Sequence, residues 1–137
     1  MPRKGALLLE DKILGANLPT PLALAYIGDS RHSLFVRKLL VKRGISKSGE
    51  LNSIALDFVT AERQAKAFSK IEPHLTEDER ALFKRAFNSN HLNKPKNASS
   101  KDYRTATGFE AVIGMLSYLD EEERIEELMK ISYEGEI

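Results

Sequence analysis

Thr20-Pro21-Leu22-Ala23-Leu24-Ala25-Tyr26-Ile27-Gly28-Asp29 is the stretch on which the fold turns. A threonine hydroxyl caps a helix by accepting from its first N–H groups. Proline suits the first turn because its missing N–H is one of the unpaired donors anyway. Apolar residues then recur at helical spacing through Leu24, Ile27, Phe35, Leu39 and Leu40, toward a stop near Gly44. Asp29 is the oddity in this pattern. Its one-turn neighbours are Ala25, Tyr26, His32 and Ser33, whereas a surface acid on a helix commonly has Lys or Arg at that distance. A second acid stands the same way in Gly108-Phe109-Glu110-Ala111-Val112-Ile113-Gly114, with Ala106, Thr107, Ile113 and Gly114 one turn off. A carboxylate withdrawn from water must be paired, protonated or bound to a metal. Two such acids in one small chain read as a shared divalent-ion site; the competing reading makes each a hydrogen-bond acceptor between helices.

The remaining signals are also helical. Ser48 opens a second helix carrying Leu51, Ile54, Ala55 and Phe58, and Thr60 caps a third through Ala65, Ala67 and Phe68, ending before Pro73. Thr76-Glu77-Asp78-Glu79 is a capping box for a fourth, with Leu82, Phe83 and Phe87 on its inner face. Asp120-Glu121-Glu122-Glu123 reads as a second capping box, before a terminal helix with Ile125, Leu128 and Met129. Tyr26, Phe35, Phe58, Phe68 and Phe83 are expected in the core, and His32 at the surface or an interface. Asn88–Ser100 is the one long loop, of a length that is usually functional or disordered. No segment alternates like a strand. The expectation is an all-α helical bundle, one domain over residues 1–137, with residues 1–10 a flexible or loosely packed N-terminal segment.

Composition narrows the function classes. The chain has 137 residues, 42% hydrophobic and 30% charged, which is ordinary for a globular protein. With no cysteine there is no disulfide, thiolate metal site or cysteine nucleophile. No run approaches the roughly 18 apolar residues of a membrane span. Ala6–Leu9 is too short for the core of a secretion signal, so the cytoplasm is the expected compartment. A net charge of +1 says little, but its distribution says more. Between residues 84 and 104 stand Lys84, Arg85, Lys94, Lys96, Lys101 and Arg104 against the lone acid Asp102. Such a basic loop fits contact with a polyanion; a merely solvated loop is the alternative.

Ala25-Tyr26-Ile27-Gly28-Asp29 resembles the ribonuclease III signature, and Leu22–Asp29 as a whole is similar to the first motif of the Mini-ribonuclease III branch. That branch is the bacterial catalytic domain without an attached double-stranded-RNA-binding domain. Lys84-Arg85, Asn88, Pro95-Lys96-Asn97, Tyr103-Arg104 and Thr107-Gly108-Phe109-Glu110-Ala111 follow its second half in order and spacing. The resemblance covers roughly residues 11–130. It implies a homodimeric endoribonuclease that uses magnesium (Mg2+) to hydrolyse double-stranded RNA, with large-subunit precursor ribosomal RNA as the usual substrate. By position, Asp29 and Glu110 are the implied catalytic residues and metal ligands. For RNA binding, Lys84, Arg85, Lys94, Lys96 and Arg104 are suited to phosphates, and Asn88 and Asn97 to hydroxyls. Tyr103 borders the same loop.

The chain also departs from the pattern. Ordinary ribonuclease III has two more acids, at the positions of Ala25 and Thr107, but the Mini branch generally lacks them too. Ser33 stands where many Mini members have Glu, and Arg31 and His32 where small or apolar residues are usual. Phe87 and Asn90 replace common basic residues, and Ser99 a common acid. These differences keep two other classes open: a catalytically weak or inactive member that binds structured RNA, and an unrelated helical protein-interaction module.

Overall fold

The structure, a computed structural model, describes residues 12–13, 17–89 and 99–136. Six α-helices account for most of them: α1 (Pro21–Lys42), α2 (Ser48–Phe58), α3 (Ala61–Ile71), α4 (Glu77–Phe87), α5 (Ser100–Tyr118) and α6 (Glu122–Tyr133). A 3₁₀ turn, Glu72–His74, joins α3 to α4. No strand occurs among the described residues. Residues 1–10, the expected loose N-terminal segment, lie outside them.

Helix α5 is the centre. Every residue from Ala106 to Leu116 is buried except Glu110, and a helix apolar on all sides belongs inside a bundle. Helix α1 packs on it most extensively, with α3 and α4 against its other faces. The α1–α5 crossing is backbone on backbone. A Cβ on Gly28 would fall inside 3.0 Å of the Glu110 carbonyl oxygen, and one on Gly114 would do the same to that of Leu24. Only glycine at both positions lets the helices approach so closely.

Local chemistry sets the helix starts. Thr20 Oγ1 accepts from Ala23 N–H, Thr60 Oγ1 from Arg63 N–H, and Ser99 Oγ from Asp102 N–H. The Thr76–Glu79 capping box is complete. Its Glu79 carboxylate is fully buried and held by the Arg124 guanidinium at 2.8–2.9 Å, a two-pronged pair fastening α4 to α6.

Three expectations are corrected. The start of α6 has no capping box: Asp120 takes φ 59° and closes the end of α5, donating its N–H to Ser117 O, so Glu121 becomes the cap residue without a side-chain bond. The Glu121 carboxylate is taken instead by Lys12 at 2.7 Å. Tyr26 is not core; it is 82% exposed, on the side of α1 opposite the α5 contact. His32 is not at the surface. It follows Gly28 and precedes Val36 and Leu40 at four-residue intervals, all on the buried face.

Candidate active site

The glycine crossing decides where the two acids meet. Asp29 follows Gly28, and Gly28 lies against the backbone of Glu110, so the two carboxyl groups come within hydrogen-bonding reach. Asp29 is exposed, a correction to its apolar sequence surroundings, whereas Glu110 is half-buried. The Glu110 carboxyl is pushed up from 4.5 to about 9. Burial is the largest cause, followed by the hydrogen bond and charge of Asp29; Gln64 on α3 works in the opposite direction. At neutral pH the pair therefore holds a proton in the absence of other cations. The folded protein binds that proton and the unfolded chain releases it. Glu110 consequently costs stability increasingly as pH rises from 4.5 to about 9.

Behind the acids lies a buried aromatic floor. His32 Nε2 is hydrogen-bonded to the Tyr133 hydroxyl, and the imidazole meets Phe109 edge-on at 5.7 Å. Burial lowers the His32 pKa from 6.5 to about 4, partly opposed by the Asp29 charge, so the ring is neutral at physiological pH. Its contribution to stability is present above 6.5 and lost as pH falls toward 4. Burial also raises the Tyr133 hydroxyl, which stays a neutral partner.

The donor set fits a hard divalent cation. Two carboxyl groups that repel each other and retain a proton offer oxygen ligands whose charge a cation would neutralise. Among the described residues no group of three or more His, Cys, Asp or Glu gathers as a metal cluster. Magnesium suits such a sparse set because it keeps several of its waters and takes one or two protein carboxylates. Ala25 and Thr107 are buried and add no acid; Thr107 Oγ1 donates to Tyr103 O at 2.9 Å.

The basic residues have unequal situations. Lys84, Arg85 and Asn88 are exposed at the C-terminal end of α4. Arg104 is half-buried and spans two helix ends, with Nη1 donating to Phe87 O at 3.0 Å and Nε to Ser100 Oγ at 3.3 Å. Tyr103 is half-buried. Lys94, Lys96, Asn97 and Asn90 lie outside the described residues. Ser99 proves to be the cap of α5, a task an acid at that position performs equally well. Sequence reasoning missed Gln64 and the His32–Tyr133 pair. The signal for Gln64 was a polar residue on the apolar stripe of α3 that continues through Ala67, Phe68 and Ile71.

The ribonuclease III domain model matches residues 22–121. Mini-ribonuclease 3 of Clostridium tetani is 42% identical over 112 residues, covering 81% of this chain and 74% of that protein. Mini-ribonuclease 3 of Brevibacillus brevis is 40% identical over 123 residues, covering 88% and 92% respectively. The crystal structure of a Fusobacterium nucleatum protein aligns with a TM-score of 0.78 at 30% identity, covering 88% of this chain and 97% of that one.

Proposed function

The chain belongs to the ribonuclease III family, among its Mini-ribonuclease 3 members, and is an endoribonuclease; on that premise we propose that it cuts double-stranded RNA with magnesium held by Asp29 and Glu110. Family membership also removes the reading of an unrelated interaction module. The observation that carries the proposal is the meeting of Asp29 and Glu110 where Gly28 and Gly114 bring two helices into backbone contact.

The residues divide the work. When bound, magnesium supplies positive charge that activates a water for in-line attack on phosphorus and offsets charge on the phosphate oxygens. Asp29, exposed, faces the incoming strand, while half-buried Glu110 gives up its proton as the cation loads. The neutral His32–Tyr133 pair, joined through His32 Nε2, closes the floor beneath them and adds no competing charge. Lys84, Arg85, Lys94, Lys96 and Arg104 supply phosphate contacts, and Asn88 and Asn97 bond hydroxyls, with Tyr103 at their edge. Duplex RNA is recognised by shape, phosphates and 2′-hydroxyls, which such residues suit.

Residues 1–137 are read as one catalytic domain acting as a two-fold homodimer, since one domain has one acid pair and a duplex has two strands to cut. Leu22, Tyr26, Leu34 and Val41 are exposed apolar residues on α1 and supply a face for the second copy. The expected state at micromolar concentration is a dimer by sedimentation; a monomer that still cuts both strands contradicts this. The cellular role we infer is maturation of large-subunit precursor ribosomal RNA in the cytoplasm. No helix among the described residues is long and apolar enough to cross a membrane.

Substitution of single oxygens by amide nitrogens tests the reading. Asp29→Asn and Glu110→Gln keep the volume and remove a charged ligand, so each should reduce duplex cleavage in magnesium buffer by about 100-fold or more without unfolding the protein. Cleavage at the unsubstituted rate by either folded variant rejects the assignment. If Asp29 is only a structural acceptor, thermal stability falls before activity does.

A further inference from the structure

The buried stripe of α3 consists of Gln64, Ala67, Phe68 and Ile71, the one-face spacing of an amphipathic helix. Three of these are apolar. Gln64, only 2% exposed, is a polar residue where leucine or methionine would fill the same space with no amide to satisfy. Helix α3 packs on α5 at this level, Phe68 meeting Phe109 at 6.3 Å, and the Gln64 carboxamide one turn earlier acts on the neighbouring Glu110 carboxyl as a hydrogen-bonding group. Through this one side chain α3, which contributes neither acid, reaches the candidate site.

We propose that Gln64 is a positioning residue whose amide N–H holds the Glu110 carboxyl in the rotamer that faces Asp29. The inference rests on the reading of Asp29 and Glu110 as the metal-holding pair. A glutamate has several side-chain torsions, and its carboxyl is aimed only if something fixes them. The crossing at Gly28 fixes the Glu110 backbone but not its side chain. A lysine or arginine in place of Gln64 would aim the carboxyl too, at the cost of neutralising the charge a cation needs. A neutral amide orients the acid and leaves its charge available.

Gln64→Leu removes the amide and keeps the volume; Gln64→Met is a second, more adaptable variant in case leucine does not fold. Three quantities are read beside Asp29→Asn: Mn2+ binding by electron paramagnetic resonance, single-turnover duplex cleavage against Mg2+ concentration, and duplex affinity in metal-free buffer. The unfolding midpoint should stay or rise. The Mn2+ Kd and the Mg2+ midpoint should rise about 10-fold, the effect of losing a group that orients a metal ligand, with metal-free duplex affinity unchanged. Unaltered Mn2+ affinity and Mg2+ midpoint in a folded variant overturn the proposal. Failure of both variants to fold also overturns it, because Gln64 is then structural. If Asp29→Asn itself binds metal and cleaves normally, the acid-pair reading has failed instead.

Discussion

The α1–α5 crossing and the basic junction of α4 with α5 are built on opposite principles. At the crossing, two glycines remove side chains so that two backbones touch, and the acids are brought together by packing that leaves no slack. At the junction, Lys84 and Arg85 extend into solvent, and Arg104 pins one helix end to the other through Phe87 O. On the proposed reading one region answers to protons and metal ions, because its charges are close and partly desolvated. The other answers to salt, because its charges are exposed and screened. The contrast separates cutting from holding: damage to the first should abolish chemistry, and damage to the second should weaken affinity.

Gly28→Ala is the harshest test of that division. The new methyl meets a main-chain carbonyl of α5, which cannot rotate away, so the helices must separate. The expected loss of stability is about 3 kcal/mol, at the high end for an overpacked contact. Any folded fraction should lose about 100-fold in kcat, since the two acids are displaced relative to each other. Denaturant unfolding with single-turnover cleavage checks both, and normal values would show that the close approach is dispensable.

Lys84→Ala with Arg85→Ala is the mild counterpart. Both side chains are exposed, so stability should change by no more than about 0.5 kcal/mol. Duplex affinity should fall about equally for all sequences, and the slope of log affinity against log salt should flatten by about 2. Turnover at saturating RNA should be nearly unchanged. A large loss of turnover with little change in salt dependence would erase the distinction between the two regions.

Much of the fold, and the two acids of the candidate site, were legible in the chain itself. The uncompensated acids at Asp29 and Glu110, the caps at Thr20, Thr60 and Thr76, and the apolar run of α5 are local patterns that tertiary structure preserved. The exposure of Asp29 was not legible, because Leu24, Ala25 and Gly28 just before it are buried while Asp29 itself stands at the edge of that face. Gly28 and Gly114 are separated by most of the chain, and nothing local announces that each fits against the other's helix. His32 is the instructive error. A histidine reads as a surface residue, but Gly28, His32, Val36 and Leu40 form a four-residue rhythm, and Tyr133, 101 residues away, bonds its Nε2.

The central claim is that packing forces Asp29 and Glu110 into one electrostatic unit, which holds a proton until a cation replaces it. Carboxyl 13C NMR of Glu110 in metal-free buffer, assigned with Glu110→Gln, tests this directly. The account predicts titration near 9, lowered in Asp29→Asn but still above 4.5 because burial persists, and ionisation of Glu110 at neutral pH when magnesium is added. Titration near 4.5, indifferent to Asp29 and to magnesium, would contradict it.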